Sequence, residues 1–404
     1  MSSLAAESNG SSGTGAWAWT DIGKSVVVEP HTEGQRKVFI GGGAGFIGSH
    51  LAKRLKGEGW YVVCADWKAN EFMEPKEFCS VFAHTDLRSL PNCVSASVGC
   101  EQVYNLAADM GGMGFIESNQ CVLLFNNTMI SSNILEAARL NEAKRYFYAS
   151  TACVYNEDLQ LDPSNPGLKE ADAWPAKPQD TYGLEKLYHE EMCKAYAADF
   201  PIETRMARYH NVYGPRGTWK LASSSPGSSV RSYVRSSIHL KGPQLGGREK
   251  APAAFCRKAI CSTKDFEMWG DGEQTRSFMF IDDCVEGTIR IMEGDYKLPL
   301  NLGTEEMVSM NKFAAIAMGF EGKDLPIRHI PGPEGVRGRN SDNTLIREKL
   351  SWAPSVTIAE GLRKTYFWIK SQVEAEKAAG TGNNYDTSEV VVQTTESLEQ
   401  LSHK

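Results

Sequence analysis

Residues 37–66 carry the feature that most restricts how this chain folds. Lys37-Val38-Phe39-Ile40 is a short apolar run of strand character. Gly42-x-x-Gly45-x-x-Gly48 follows at once, and an amphipathic helix then runs to about Lys56. Glycines at this spacing, between a strand and a helix, let the backbone turn tightly and approach a pyrophosphate at the helix N-terminus. Gly42, Gly45, Phe46, Ile47 and Gly48 are therefore the expected cofactor loop. The next strand, 61–66, closes on Asp66. A carboxylate there accepts hydrogen bonds from an adenosine ribose and repels a 2′-phosphate, which favours NAD over NADP. Taken alone, Asp66 is an ordinary strand-end residue; the glycines upstream give it the ribose role.

The alternation continues down the chain. Val81-Phe82-Ala83-His84 reads as a strand ending near Asp86, a candidate adenine contact. Strands are expected at 102–108, 145–150 and 202–209, with helices at 121–140 and 182–198. Such a βαβ series implies an α/β fold, a doubly wound, mostly parallel sheet with helices on both faces. Ligands bind such sheets outside the C-terminal strand ends, and Thr151-Ala152-Cys153 stands at one of them. Tyr182-x-x-x-Lys186 lies on the helix that follows. The spacing of four places both side chains on one face. An ammonium beside a phenol lowers the pKa of the phenol, which then takes a hydroxyl proton as a hydride leaves the same carbon. A Tyr-x-x-x-Lys pair also occurs on ordinary solvated helix faces, so its company matters.

Composition sets the outer bounds. The chain has 404 residues, 41% hydrophobic and 23% charged, with a net charge of −7. That is an ordinary soluble composition, and the acidic balance argues against a general nucleic-acid surface. Anionic ligands would need local Arg or Lys. The ten cysteines form no C-x-x-C pair and no Cys/His cluster of zinc spacing, so no metal is expected; most read as buried, reduced thiols of a cytoplasmic protein. No signal peptide, transit peptide or membrane span is apparent. The expected organisation is a flexible tail over 1–36 and an NAD-binding domain over 37–212 with a return segment at 278–305. A smaller mixed α/β substrate domain takes 213–277 and 306–375, and a flexible tail 376–404.

The motifs together resemble the extended short-chain dehydrogenase/reductase family, in its nucleotide-sugar branch. The resemblance rests on the glycine loop, Asn105-Leu106-Ala107-Ala108, Thr151-Ala152-Cys153-Val154-Tyr155, Tyr182-x-x-x-Lys186, Asn211-Val212-Tyr213-Gly214-Pro215 and Trp269-Gly270-Asp271-Gly272 with Arg276. Gly41 stands where the family usually has Thr. Further matches, at 107–115, 246–252, 274–278 and 335–341, imply GDP-mannose as substrate. The implied activity inverts its C3 and C5 to give GDP-L-galactose, a precursor of ascorbate and cell-wall polysaccharide, and the implied assembly is a homodimer. The implied roles follow residue by residue. Tyr182 and Lys186 run the redox step, and Thr151 holds the reacting C4 oxygen. Cys153 and Lys250 are the acid/base pair. Gly111, Ala152, Asn211 and Glu249 contact the GDP-sugar. So do Ala251, Lys258, Gln274, Thr275, Arg276 and Arg339.

The chemistry is coherent. The C3–H and C5–H of a hexose are not acidic until C4 is a ketone; one group then removes each proton and another returns one from the opposite face. A thiol has a pKa of about 8.5, which nearby positive charge brings towards neutrality, and partial burial lowers that of a lysine. Taken alone, Cys153 reads as a packed thiol, Lys250 as a solvated lysine, and Arg276 and Arg339 as surface ion-pair partners. A diphosphate in a chain of this charge, however, calls for bidentate arginines. Two alternatives stay open: a related nucleotide-sugar 4-epimerase or dehydratase, and a catalytically silent nucleotide-sugar-binding protein. Residues 221–245 motivate the second. They are an atypical insertion with eight Ser, Arg231, Arg235, Lys241 and no acid, directly before the Lys250 run.

Overall fold

The structure is a computed structural model, and it describes residues 23–111, 116, 119–219, 250–332 and 335–380. Its centre is an eight-stranded sheet. In chain order its strands are β1 (Ser25–Val27), β2 (Lys37–Gly41), β3 (Tyr61–Asp66), β4 (Val81–His84), β5 (Gln102–Asn105), β6 (Arg145–Thr151) and β7 (Glu203–Tyr209). After the two-residue β8 (Val212–Tyr213), and β9 (Phe266–Trp269), β10 (Thr275–Ser277) and β11 (Met279–Phe280), comes its last member, β12 (Leu300–Leu302). The spatial order is β1-β4-β3-β2-β5-β6-β7-β12. All pairs are parallel except β1 with β4. The strand order reverses between β2 and β5, and the crevice above that switch point is where a doubly wound sheet binds its ligand. Central strands of such a sheet are covered on both faces and read as continuous apolar runs; every residue of β3 is buried.

Helices Phe46–Gly57, Leu90–Ser97, Gln120–Leu140, Thr181–Asp199 and Ile281–Glu293 cover the two faces. The last carries Asp282 and Asp283 in its first turn, where carboxylates favour the helix dipole. A second group of elements lies at the C-terminal strand ends. It holds β13 (Met307–Ser309), β14 (Ile327–Ile330) and β15 (Gly338–Arg339), in a three-stranded sheet β13-β10-β15 and a two-stranded sheet β14-β9. Helices Ala251–Cys261, Met310–Gly319 and Ile358–Ala378 pack there, the last begun by a capping box between Thr357 and Glu360. One apolar cluster, with Ile40, Phe147, Met279, Phe313 and Tyr366 among its members, runs from the central sheet into this group.

Two expectations need correction. The flexible tail drawn over 1–36 gives way at Ser25–Val27, which pairs antiparallel with β4 and extends the sheet by one edge strand. Its short Val-Val run has no alternation to announce it. The strand drawn over 102–108 ends at Asn105, and Leu106 to Met110 form the loop over the switch point. The insertion at 221–245, and residues 381–404 of the tail drawn over 376–404, lie outside the described residues, while residues 376–378 complete the helix Ile358–Ala378.

Candidate active site

The nucleotide cradle is built by close approach. Gly42 has φ +77°, and a Cβ on Gly48 would lie 2.1 Å from the Gly42 carbonyl oxygen. The turn therefore tolerates no side chain at Gly48, and Gly42 needs the left-handed region that glycine enters freely. Gly45 caps the helix Phe46–Gly57 with no side chain in front of its free N–H groups. A cleft opens beside it, lined by Gly42, Gly45, Asp66, Asp86, Ala107 and Asn126. Asp66 is 4% exposed at the end of β3. One of its oxygens accepts from the Ala44 N–H (3.1 Å) and the other from the Lys68 N–H (3.3 Å). Burial raises its pKa, and Lys68 and those N–H groups oppose the rise. A glycine-rich loop at a helix N-terminus and a carboxylate at the neighbouring strand end fit NAD, so the residues present suit that cofactor.

Asp86 lines the same cleft, as expected for an adenine contact, but its carboxylate is already gripped by Arg88 (Nη2 to Oδ2, 2.6 Å). Arg88 and Lys68, which also line the cleft, were missed by sequence reasoning; a basic residue two positions after each strand-end aspartate was the available signal.

The reactive side chains meet at the end of β6. Thr151 is 8% exposed and caps a short 3-10 turn, Ala152–Val154, by accepting the Cys153 N–H at 3.2 Å. Helix Thr181–Asp199 is started by Asp180, whose side chain accepts the Gly183 N–H at 2.8 Å. A Cβ on Gly183 would stand 2.2 Å from the Cys153 carbonyl oxygen. Glycine after Tyr182 thus lets that helix press directly on the turn, and Tyr182 packs with Cys153, Met110, Ile116 and Leu123. Lys186 follows one turn later, 3% exposed, and its ammonium donates to the Ala149 carbonyl (3.1 Å).

The ammonium lies 5.8 Å from the Tyr182 ring centre. The expected lowering of the phenol pKa is reversed: burial holds Tyr182 well above its usual value, Cys153 and Glu185 add to the rise, and the Thr151 side chain opposes it. Burial also lowers Lys186. Desolvation is the largest influence on both groups.

Cys153 is half-buried, and Arg339 Nη1 donates to its sulfur at 3.3 Å while Arg339 Nε holds Gln160 Oε1 at 2.5 Å. Arg276 is pushed down to about 9, first by burial and next by Arg339; Cys153 acts in the other direction. Its guanidinium donates to the Thr275 and Val336 carbonyls. Lys250 precedes the helix Ala251–Cys261. The residue as a whole is exposed, and desolvation lowers the pKa of its ammonium, with Cys153 the first group opposing. Arg339 thus touches the sulfur, and Arg276 and Lys250, from two further segments, are electrostatically coupled to it.

The other expected contacts scatter more. Asn211 donates to the Ser277 carbonyl, tying the residue before β8 to the end of β10. Gln274 is 6% exposed, and its Oε1 has no hydrogen-bond partner among the described residues, as a ligand-facing acceptor would. Thr275 spends its hydroxyl on the Pro163 carbonyl (2.5 Å), and Lys258 its ammonium on the Glu267 carbonyl (2.9 Å). Both thus act within the fold before any ligand arrives. Gly111 is buried at the edge of the described loop, and Glu249 lies outside the described residues.

Comparison with known proteins agrees with this geometry. The NAD dependent epimerase/dehydratase family matches residues 38–303. The chain belongs to that family. It is 58% identical over 356 residues, 88% of each chain, to GDP-mannose 3,5-epimerase of Arabidopsis thaliana. To GDP-mannose 3,5-epimerase 1 of Oryza sativa subsp. japonica it is 57% identical over 88% of this chain and 87% of that one. Among solved structures, UDP-glucose 4-epimerase of Thermotoga maritima superposes with a TM-score of 0.68 at 23% identity, over 83% of this chain and 99% of that one. The UDP-glucose 4-epimerase complex with NAD from Thermus thermophilus gives 0.67 at 22%, over 83% and 100%. Family membership makes this an NAD-dependent enzyme of the extended dehydrogenase/reductase fold.

Proposed function

We propose that the chain converts GDP-mannose to GDP-L-galactose by inverting C3 and C5. The observation that carries this is the cysteine at the end of β6, held by Arg339 and electrostatically coupled to Lys250, beside the Thr151–Tyr182 pair. The high identity to two plant GDP-mannose 3,5-epimerases supports it. Bound NAD supplies a hydride acceptor and donor at C4. Thr151 and Tyr182 hold the C4 oxygen, and Tyr182 takes and later returns its proton. Once C4 is a carbonyl, Cys153 and Lys250 exchange protons at C3 and C5 from opposite sides of the ring. Arg276 and Arg339, with Asn211, Gln274 and Glu249, bind the GDP-sugar. A 4,6-dehydratase of this family carries Asp-Glu after the threonine, whereas this chain has Ala152-Cys153. The alternative reading of a silent binding protein rests on residues 221–245, which lie outside the described residues.

A homodimer is part of the proposal: Leu124, Phe125, Leu184 and Tyr188 stand exposed on helices Gln120–Leu140 and Thr181–Asp199, an apolar face that suits a second copy. A reducing, cytoplasmic setting agrees with ten free cysteines, and a supply role for ascorbate and cell wall rests on the plant relatives. Among the described residues no helix is long and apolar enough to cross a membrane. Product analysis by NMR in deuterated water tests the reaction: label at both C3 and C5 supports it, and inversion at C4 alone would refute it.

A further inference from the structure

Next to the site lies a chain of buried polar groups whose side chains are none of the expected substrate contacts. Arg208 on β7 and Glu190 on the helix Thr181–Asp199 form an ion pair, Nη2 to Oε2 2.6 Å and Nε to Oε1 2.9 Å, with side chains 3% and 0% exposed. Ser150 donates to the same Glu190 oxygen at 2.5 Å. Arg208 Nη1 donates to the Glu170 carbonyl (2.6 Å) and to the Tyr155 hydroxyl (3.3 Å). Tyr155 donates in turn to Asn301 Oδ1 on β12 (2.5 Å), where His210 Nε2 also lies at 3.2 Å.

The positions of these residues in sequence give the network its meaning. Ser150 immediately precedes Thr151, and Tyr155 immediately follows the turn Ala152–Val154 that carries Cys153. Glu190 is one turn beyond Lys186 and two beyond Tyr182 on the same helix face. The network thus grips both ends of the segment bearing Thr151 and Cys153 and ties it to the helix bearing the redox pair. Buried ion pairs add little stability relative to apolar packing, and their better-attested use is to fix one arrangement. Buried hydrogen-bond networks also stiffen a site, and of the groups in this one His210 Nδ1, at its far end, has no partner among the described residues.

We propose that Ser150, Glu190, Arg208 and Tyr155 are positioning residues that set where Cys153 stands relative to Tyr182 and so synchronise proton exchange at C3 and C5 with oxidation at C4. This rests on the reading of the site as a 3,5-epimerase. Tyr155 holds the Cys153 end of the segment, and Ser150 holds the Thr151 end. Loosening the first should disturb ring-proton exchange while leaving C4 oxidation in place; loosening the second should disturb both.

The test uses Tyr155→Phe and Ser150→Ala, which each remove one hydroxyl and leave the Glu190–Arg208 pair intact. Parent and variants are compared for kcat and KM with GDP-mannose, for reduction of bound NAD on mixing with that substrate, and for deuterium uptake at C3 and C5. Tyr155→Phe is expected to lower kcat and deuterium uptake about tenfold or more, since sub-ångström misplacement is costly. KM and NAD reduction should stay within about twofold of the parent. Ser150→Ala is expected to lower NAD reduction and uptake together. Parent-like kcat and uptake in both folded variants overturns the proposal, as does a Tyr155→Phe loss in which NAD reduction falls equally. Should Tyr155→Phe fail to fold, parent-like NAD reduction and uptake in Ser150→Ala alone overturns it. A parent protein that labels neither carbon overturns the epimerase reading, and the positioning role with it.

Discussion

Replacing Cys153 by Ala separates acid/base chemistry from binding and redox more cleanly than any other change at the site. The residue is half-buried, so losing one sulfur atom leaves little cavity and should cost the fold under about 1 kcal/mol. Arg339 loses one contact but keeps its bond to Gln160, so the guanidinium stays placed for its proposed contact with the diphosphate. The loop at Gly42, Asp66 and the Tyr182–Lys186 pair are untouched. What disappears is one proton-transfer group, worth about 10²–10⁴ in rate, or roughly 3–5 kcal/mol of barrier. The assay is deuterium uptake at C3 and C5 by NMR, run beside single-turnover reduction of the bound NAD. The variant should bind GDP-mannose within about threefold of the parent and still reduce NAD on mixing. It should take up deuterium at neither carbon on the parent's timescale. Parent-like uptake would refute the role of the sulfur, and loss of NAD reduction as well would show that Cys153 acts on C4 rather than on its neighbours.

Other outcomes follow from the same geometry. Asp66→Ala removes a carboxylate expected to accept a ribose hydroxyl, so NAD affinity should fall about 10–100-fold, the range for a hydrogen bond to a charged group. NADP affinity should fall less, and equal retention of both in titrations would refute the ribose role. Gly48→Ala puts a Cβ 2.1 Å from the Gly42 oxygen. NAD binding should be lost along with several degrees of melting temperature, and a parent-like protein by calorimetry would contradict the packing. His210 is buried, and its pKa is lowered from 6.5 to about 3 by burial, opposed by Asn301 and reinforced by Arg339 and Arg208. Below 6.5 the unfolded chain binds a proton that the fold refuses, so this stability is present above that pH and is lost as pH falls towards 3. By about pH 5 the loss is roughly 2 kcal/mol. His210→Asn should flatten the difference between urea unfolding at about pH 7 and pH 5, and an unchanged difference would remove His210 as its source.

The division between what sequence and tertiary structure determine is physical and can be located residue by residue. Gly42-x-x-Gly45-x-x-Gly48 and Asp66 sit in one βαβ unit, and Tyr182-x-x-x-Lys186 in one helix turn. Their geometry follows from local backbone rules, so sequence spacing alone determines the sheet, its switch point and the cofactor class. The strand at Ser25–Val27 was hidden because three residues of β character carry no period and gain their place only by pairing with β4. The direction of the Tyr182 pKa shift was not legible because the balance between burial and a charge 5.8 Å from the ring centre depends on every atom packed around both. Arg339 reaches Cys153 across 186 positions, and the Tyr155–Asn301 bond spans 146. Neither separation leaves a mark in the spacing of motifs, because the closure of such loops is driven by the packing of the whole core and not by any local preference. The sequence by itself therefore determined which groups this enzyme has for oxidising a sugar. Only the tertiary structure decided how they stand to one another: the sulfur beneath Arg339, the phenol left high by burial, and the ion pair that fastens the segment of one to the helix of the other.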